Sequence, residues 1–559
     1  MPCWDLSYLS SRSVELIADH IALPSGAGTV ELDRLLPQHL RERLTSAAAM
    51  LRDVPAGDPP AKHKGRGRTH VTDDQYIPLI KRMVAANMLD FTTTPRVVNG
   101  IFAVLKDGNA QRLIIDARKA NAEFKDPPSV SLPTPDKLSG VQAERARKLY
   151  IAKADIDNFY HRLTLPVWLR PFFALPPVQP AAISADLVLR FGAGPVWPVC
   201  RTLPMGWSWS VLLAQAAHEQ LIDTAVAAMP AADRIGSAVD LRLVGRRVLH
   251  SVYIDDVSFW GHDRDAVQAV WEAYCQAVVD AGLVPKRSKC VGPSADGVEV
   301  LGLLIDGREH TLGVSPVKLL ALRQDTFALL RRGHCTGLNL AVLLGHWTWA
   351  ALANRPALSV FSAVYRFVEC AGSRQFTIWD SVARELSVMA GLAPLLVAHL
   401  SRPDCPRAVA TDASESGMGV VACDTPALPH ALPRGPSADE GKDSAAGVSV
   451  AAVAWTVVVS SAWRFAEEHI NGLEMRAADA GVRWLLSSPS AAGATLTLIT
   501  DSTVVAGALR KGRSSSPLLL RRLRRIGAAL LAVGAALDVR FVRSAFNPAD
   551  GPSRAWSGL

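Results

Sequence analysis

Asp255 and Asp256 stand side by side in "SVYIDDVSF", between short apolar stretches. Two like charges at one tip repel each other, and no basic residue adjoins them. Such acids either face water as turn formers or offer oxygen ligands to a hard divalent cation. Asp155 ends a second apolar run, "YIAKADIDNFYHRL", and Asp157 follows it at strand spacing. Further acids lie near the C-terminus: Asp412 in "AVATDASESGMGVV", Glu474 in "HINGLEMRAADAGVRWLL", Asp501 in "LTLITDSTVVAGALRKG" and Asp550 in "VRFVRSAFNPADGPSR". Singly, each has an ordinary role, Asp412 and Asp501 as helix N-caps and Glu474 on a solvated helix face.

The elements that must position these acids are legible in outline. "RRVLHSVYI" and "VSFW" are β-branched and aromatic, which predicts two strands joined by a tight turn around Asp255. "IPLIKRMVAANML" has helical apolar spacing, "GIFAVLKDGNAQRLIIDAR" reads as a hairpin turning at "KDGN", and "RKLYIAKADI" reads as a strand. Residues 314–400 are largely helical in pattern, and the break "SRPDCPRA" opens a last segment that begins with the strand "AVATDAS". The first seventy residues are poor in pattern and end in "PAGDPPAKHKGRGR", a mobile linker or an arm facing nucleic acid. Residues 424–443, "DTPALPHALPRGPSADEGKD", are expected to be a disordered surface insertion. The expected divisions are 1–70, 71–313, 314–403 and 404–559.

Bulk properties narrow the classes. A chain of 559 residues exceeds one core and predicts several domains. Apolar content of 49% with 20% charged residues describes a folded protein. The net charge of +8 leans towards a polyanionic partner, and the basic runs "RKGR" (510–513) and "RRLRR" (521–525) concentrate it. The eight cysteines form no CxxC pair, which argues against a zinc finger or disulfide scaffold and suits a reducing compartment. The N-terminus carries acids early and lacks an apolar signal core. Residues 444–463 are uncharged, but they are rich in Ala, Ser and Gly, and "VAWTVVV" reads as a buried strand. The expectation is a soluble, intracellular protein, cytoplasmic or nuclear, not secreted and not in a membrane.

Taken in order, the motifs resemble the reverse transcriptase family. "ADIDNFYHRL" is similar to its first palm motif and "YIDD" (253–256) to its Tyr-x-Asp-Asp hairpin. "RTLPMGWSWSVLLAQAAHEQL" is similar to the Leu-Pro-x-Gly motif and the helix that supports the templating pair. "FAVLKDGNAQRLIIDARKAN" resembles the fingers hairpin, "AGLVPKRSKC" the motif that supplies a lysine near the leaving pyrophosphate, and "VEVLGLLID" the primer grip. The resemblance implies an α+β right-hand polymerase, with fingers, a palm built on an antiparallel sheet, and a thumb. It implies Asp155 and Asp255 as metal ligands, the Ile156 carbonyl completing a shell, and Asp256 in a weaker role. Asp157 is not a fixed acid of that pattern. Lys106 and Arg112 would bind the triphosphate, Tyr160 would exclude a ribose 2′-OH, and Met205 and Gly206 would border the nucleotide. Met205 stands where some retroviral enzymes have glutamine. Lys289 would be the general acid, with Lys286 as the alternative, and Leu301 and Gly302 would grip the primer. Such chemistry uses two Mg²⁺ (or Mn²⁺) ions per site for in-line displacement at phosphorus.

The C-terminal acids and the closing "NPADGPSR" are similar to ribonuclease H of DIRS-like and related long-terminal-repeat retrotransposons. That implies an α/β ribonuclease H-like domain in which Asp412, Glu474, Asp501 and Asp550 bind two metals and RNA in an RNA–DNA hybrid is hydrolysed. Arg543 and Ser544 stand where many such nucleases carry a mobile histidine. Arg510, Lys511, Arg513 and Arg521 would contact phosphates without reading sequence. Expected partners are an RNA template, a DNA primer, the RNA–DNA hybrid and deoxynucleoside triphosphates, with any recombinase or integrase encoded elsewhere. The resemblance leaves oligomeric state open. A decayed element that binds nucleic acid without catalysis is the alternative, and it would bind regardless of EDTA.

Overall fold

The computed structural model describes residues 14–53, 71–105, 109–226, 229–236, 240–428, 447–464 and 468–556. At its centre lies a four-stranded antiparallel sheet ordered Val291–Ser294, Tyr150–Asp155, Asp256–Gly261, Val248–Tyr253. Asp256–Gly261 in its middle and Val248–Tyr253 at its end are both buried along nearly their whole length, which explains why "VLHSVY" and "DVSFWG" read as nearly continuous apolar runs. Helices Ser210–Ala225 and Arg264–Asp280 pack against it, and one hydrophobic core runs from Leu16 to Leu283. The predicted hairpin forms from Gly100–Leu105 and Gln111–Asp116, while its expected turn at 106–108, including Lys106, lies outside the described residues.

The N-terminal segment differs from the pattern-poor extension expected of it. Val30–Glu31 pairs in parallel with Leu163–Thr164, and Gln111 accepts from the Ile17 amide and donates to the Glu15 carbonyl. Residues 14–53 therefore strap the hairpin to the Leu163–Thr164 strand, which follows Tyr150–Asp155 in the chain. They do so through short pieces, none long enough to display a period. Residues 1–13 and 54–70, with the basic run, lie outside the described residues.

A second antiparallel sheet, Val298–Val300, Leu303–Asp306, Thr311–Val314 and Val397–His399, leads into helices Pro316–Arg332, Gly337–Leu352, Ala363–Ala371 and Asp380–Leu392. The last segment forms a five-stranded sheet. In chain order its strands are Arg407–Ala413, Gly417–Asp424, Thr456–Ala462, Thr495–Thr500 and Ala536–Phe541. In space the order is third, second, first, fourth, fifth, with the first three antiparallel and the last two parallel to the first. Thr456–Ala462 is an edge strand with Val457 54% exposed, so the expectation of a buried "VAWTVVV" strand is corrected. Its β-branched run reflects strand preference at a sheet edge, not burial on both faces. Residues 424–428 are ordered, as a strand end and one 3₁₀ turn, and the rest of the expected insertion (429–443) lies outside the described residues. Among the described residues no helix is long and apolar enough to cross a membrane.

One 3₁₀ turn, Arg355–Val360, joins these units. Arg355 pairs with Asp136 at 2.8 Å and donates to the Arg510 carbonyl at 2.8 Å. Arg524 donates to the carbonyls of Ser359 and Val360 and to Glu385. Gly512 lies against this turn at φ +63, where a methyl group would overlap the Arg355 carbonyl. Gly512→Ala is therefore expected to destabilise the 404–556 unit by roughly 1–3 kcal/mol. Gly534→Ala, at φ +67 with open space around it, should cost clearly less. Hydrogen exchange of the full chain in rising urea measures both, and equal losses would contradict the packing described.

Candidate active site

Strand register brings the first acids together. Asp155 and Asp256 are direct cross-strand neighbours, and Asp255 sits in the two-residue turn between Tyr253 and Asp256. The amide of Ile156 donates to the Asp255 carbonyl at 2.9 Å, lashing the turn to the end of the Asp155 strand. Like charges facing across strands destabilise a sheet, and here they also bear on the titration of the acids. Burial first, then Asp155, pushes the Asp255 carboxyl up. Asp256 is pushed up to about 7 by burial and by both neighbouring acids. Lys289 answers that charge with an Nζ contact of 2.7 Å to Asp155, a carboxylate only 3% exposed. That hydrogen bond in turn raises the Lys289 pKa. Lys286 instead uses its backbone, donating its amide to the Asp155 carbonyl at 2.7 Å.

The turn itself is strained. Ile254 adopts φ +57, a left-handed conformation that costs a β-branched residue about 1–2 kcal/mol. Helix Ser210–Ala225 holds it there. Gln215 accepts from the Ile254 amide at 2.7 Å and donates to the Val252 carbonyl at 2.9 Å. His218 Nδ1 lies 2.7 Å from the Ile254 carbonyl. Neither residue was singled out from the sequence. A glutamine and a histidine on one face of a helix carry no signal until the hairpin is docked beside them.

The remaining expected residues surround this centre unevenly. Arg112 is exposed and lowers the Asp255 pKa through its charge. Tyr160 is half-buried, its hydroxyl pushed up to about 12 by burial and then by Asp255. Asp157 is engaged by Arg162 at 3.6 Å and by Asn158 at 2.9 Å. The Met205 carbonyl accepts from the Ile115 amide, and Gly206 (φ +122) abuts the Ile115 carbonyl where no side chain would fit. Leu301 (φ +51) and Gly302 (φ +77) form the turn between Val298–Val300 and Leu303–Asp306. A 470 Å³ cleft runs from that turn to Asp256 and Lys289, with Trp349 on its wall.

A second cluster forms in the C-terminal sheet. Asp412 lies near the end of the first strand, Asp501 follows the adjacent parallel fourth strand, and Glu474 projects from helix Ile470–Leu486. Carboxylate oxygens of the three lie within 4.8 Å of one another. Glu474 Oε2 is buried without a hydrogen-bond partner, and burial with the two aspartates lifts its pKa to about 9. Asp412 rises to about 6, again chiefly through burial. A buried, partly unpaired trio of acids is the donor set a hard divalent cation takes. Asp550 stands outside this trio and pairs with Arg554 at 2.8 Å. Two residues of "NPADGPSR" that were not singled out orient the trio. Asn547 donates to Asp501 at 3.1 Å and to the Thr411 carbonyl at 3.1 Å, and Ser553 hydrogen-bonds Asp412.

Of the basic residues expected on nucleic acid, Lys511, Arg513 and Arg521 are exposed. Arg510 is drawn inward, its guanidinium donating to the Val539 carbonyl at 2.8 Å. Arg522 and Arg525 lie within 3.9 Å of the buried Asp479.

Comparison with known proteins places the first cluster. Residues 104–305, which contain Asp155, Asp255, Asp256 and Lys289, match the family described as reverse transcriptase (RNA-dependent DNA polymerase). The chain thus carries a reverse transcriptase domain. No curated protein matches it. Similar solved structures include a foamy viral protease-reverse transcriptase dRH in complex with double-stranded DNA. It is 13% identical, with 91% of this chain and 80% of that one covered and a TM-score of 0.46. A foamy viral protease-reverse transcriptase with an RNA/DNA hybrid is 11% identical, covering 94% and 85%, with a TM-score of 0.44.

The raised carboxyls make stability depend on pH. A carboxyl whose folded pKa exceeds its unfolded value binds its proton more tightly when folded. Its contribution is whole below the unfolded glutamate value of about 4.3 and drains away as pH rises towards about 9 for Glu474. In EDTA at pH 8, Glu474→Gln should therefore be more stable than wild type, by on the order of 1 kcal/mol or more. The gain should shrink by pH 5, and a gain independent of pH in thermal unfolding would contradict the assignment.

Proposed function

We propose that this chain is an RNA-directed DNA polymerase with a tethered ribonuclease H, of the kind that retrotransposons of the DIRS-like or related long-terminal-repeat type encode. The observation that carries the polymerase reading is the family match over the segment in which Asp155, Asp255, Asp256 and Lys289 converge. The nuclease reading rests on the five-stranded sheet order and on the trio of Asp412 and Asp501 at two strand ends with Glu474 from the helix beside them.

In this reading Asp155 and Asp255 hold Mg²⁺ or Mn²⁺, with the Ile156 carbonyl and Asp256 beside them. The bound cations would stabilise charge on the attacking and leaving oxygens. Lys289 keeps its proton near Asp155, available to a departing pyrophosphate. Arg112 offers a planar fork to triphosphate oxygens, a role shared with Lys106 in the expected hairpin turn. Tyr160, held by its half-buried ring, lies close enough to Asp255 to feel its charge, where it would bar a ribose 2′-OH. Leu301 and Gly302 border the same cleft as Asp256 and suit contact with a primer strand. In the nuclease, Asp412, Glu474 and Asp501 would hold the metals, while Asp550, tethered by Arg554, would join once nucleic acid arrives. Lys511, Arg513 and Arg521 would meet the hybrid backbone, and Arg510 would serve the fold more than the ligand.

The two activities should separate by substitution. Purified protein is expected to extend oligo(dT) on poly(rA) with Mg²⁺ or Mn²⁺, and Asp155→Asn should lower that rate roughly 100-fold or more while sparing hybrid cleavage. Asp412→Asn should do the reverse, and Tyr160→Ala should admit ribonucleotides. Extension that survives Asp155→Asn, or hybrid cleavage that survives Asp412→Asn, would overturn the corresponding half of the reading.

A further inference from the structure

His218 is fully buried beneath the turn that carries Asp255, and nothing in the polymerase chemistry described so far calls for a histidine there. Its Nδ1 lies 2.7 Å from the Ile254 carbonyl and its Nε2 lies 2.8 Å from the Tyr274 hydroxyl. A backbone carbonyl can only accept, so Nδ1 carries the hydrogen and Nε2 is the bare nitrogen, accepting from Tyr274. Burial favours this arrangement, holding the imidazole neutral and the phenol protonated. Both ring nitrogens are therefore committed. Phe159 packs edge-on against the ring at 5.7 Å and Tyr274 lies 5.7 Å away on helix Arg264–Asp280.

An apolar side chain would fill this space without the cost of burying polar atoms. What it would lack is a donor for the Ile254 carbonyl. Ile254 sits at φ +57, and relaxing to an extended conformation would swing the following residue, Asp255, away from Asp155. Gln215 secures the amide on one side of the Ile254 Cα, which leaves the carbonyl on the other side to His218. Tyr274 fixes the tautomer and ring angle from behind, as an outer partner does for a ligand histidine.

We propose that His218, oriented by Tyr274, is a positioning residue for nucleotide addition, holding the left-handed Ile254 turn so that Asp255 faces Asp155. The inference rests on the polymerase reading above. His218 touches no reacting atom; it acts through the Ile254 carbonyl.

Asparagine and leucine at position 218 test it, because they are nearly the same shape and only asparagine keeps a donor near Nδ1. A packing role predicts that His218→Leu performs at least as well as His218→Asn. A positioning role predicts the opposite order. In pre-steady-state primer extension, His218→Leu should lose roughly 10- to 100-fold in rate, and His218→Asn should stay within about fivefold of wild type. Mn²⁺ titration of the primer–template complex by electron paramagnetic resonance should show weaker binding in His218→Leu alone. Thermal unfolding should rank His218→Leu no lower than His218→Asn. Tyr274→Phe, which keeps the ring and loses only the hydroxyl, should lower the extension rate in the same direction by a smaller factor, and it decides the matter if His218→Leu does not fold. Wild-type protein that extends no primer would overturn the polymerase reading itself. Active wild type with His218→Leu equal to or better than His218→Asn in rate and Mn²⁺ binding would overturn the positioning role alone, as would an unaffected Tyr274→Phe.

Discussion

Carboxylates that repel one another, held together at the end of a buried sheet, are the constraint on which the rest of this structure depends. Asp155 and Asp256 come from two strands whose register makes them direct neighbours, and Asp255 from the turn beside them. Water would relieve the repulsion, but burial removes much of it, and Asp255 and Asp256 are both displaced towards their protonated forms. A sheet under such strain stays closed because Val248–Tyr253 and Asp256–Gly261 are buried along nearly their whole length and two helices pack on the sheet. The left-handed turn at Ile254 is the local expense of presenting Asp255, and Gln215 and His218 bear it. Lys289 supplies the one ion pair Asp155 makes among the described residues.

The C-terminal sheet meets the same constraint with different parts. Adjacent parallel strands bring Asp412 and Asp501 to one edge, and a helix adds Glu474. Among the described residues no lysine pairs with these acids. Ser553 and Asn547 orient two of the acids, and one oxygen of Glu474 is left buried and unpaired. The Arg355–Val360 turn, gripped by Gly512 and Arg524 on one side and Asp136 on the other, ties the units together.

Much of this was legible in the sequence wherever local pattern and chemistry coincide. The Asp255 hairpin announced itself through β-branched flanks around a charged tip, and Asp155 through a carboxylate ending an apolar strand. Asp412 and Asp501 were visible in the same way, and Glu474 as an acid on an amphipathic helix. What stayed hidden has no local signature. The partners of Ile254 come from Ser210–Ala225, far along the chain, and only packing reveals them. Arg510 looked like part of a basic face because charge is readable from sequence, whereas its carbonyl partner on Val539 is not. The strap of residues 14–53 makes its bonds in pieces too short for periodicity to register. "VAWTVVV" read as buried because β-branched composition does not distinguish a central strand from an edge.

The proposed metal role follows from the repulsion, and calorimetry tests it most directly. Mn²⁺ titrated into metal-free protein at pH 7 should bind at two independent clusters and release protons, because Asp256 is partly and Glu474 largely protonated until a cation arrives. Asp155→Asn with Asp255→Asn should remove one set of heats, and Asp412→Asn with Glu474→Gln the other. Binding heats unchanged when all four acids are replaced would contradict the account.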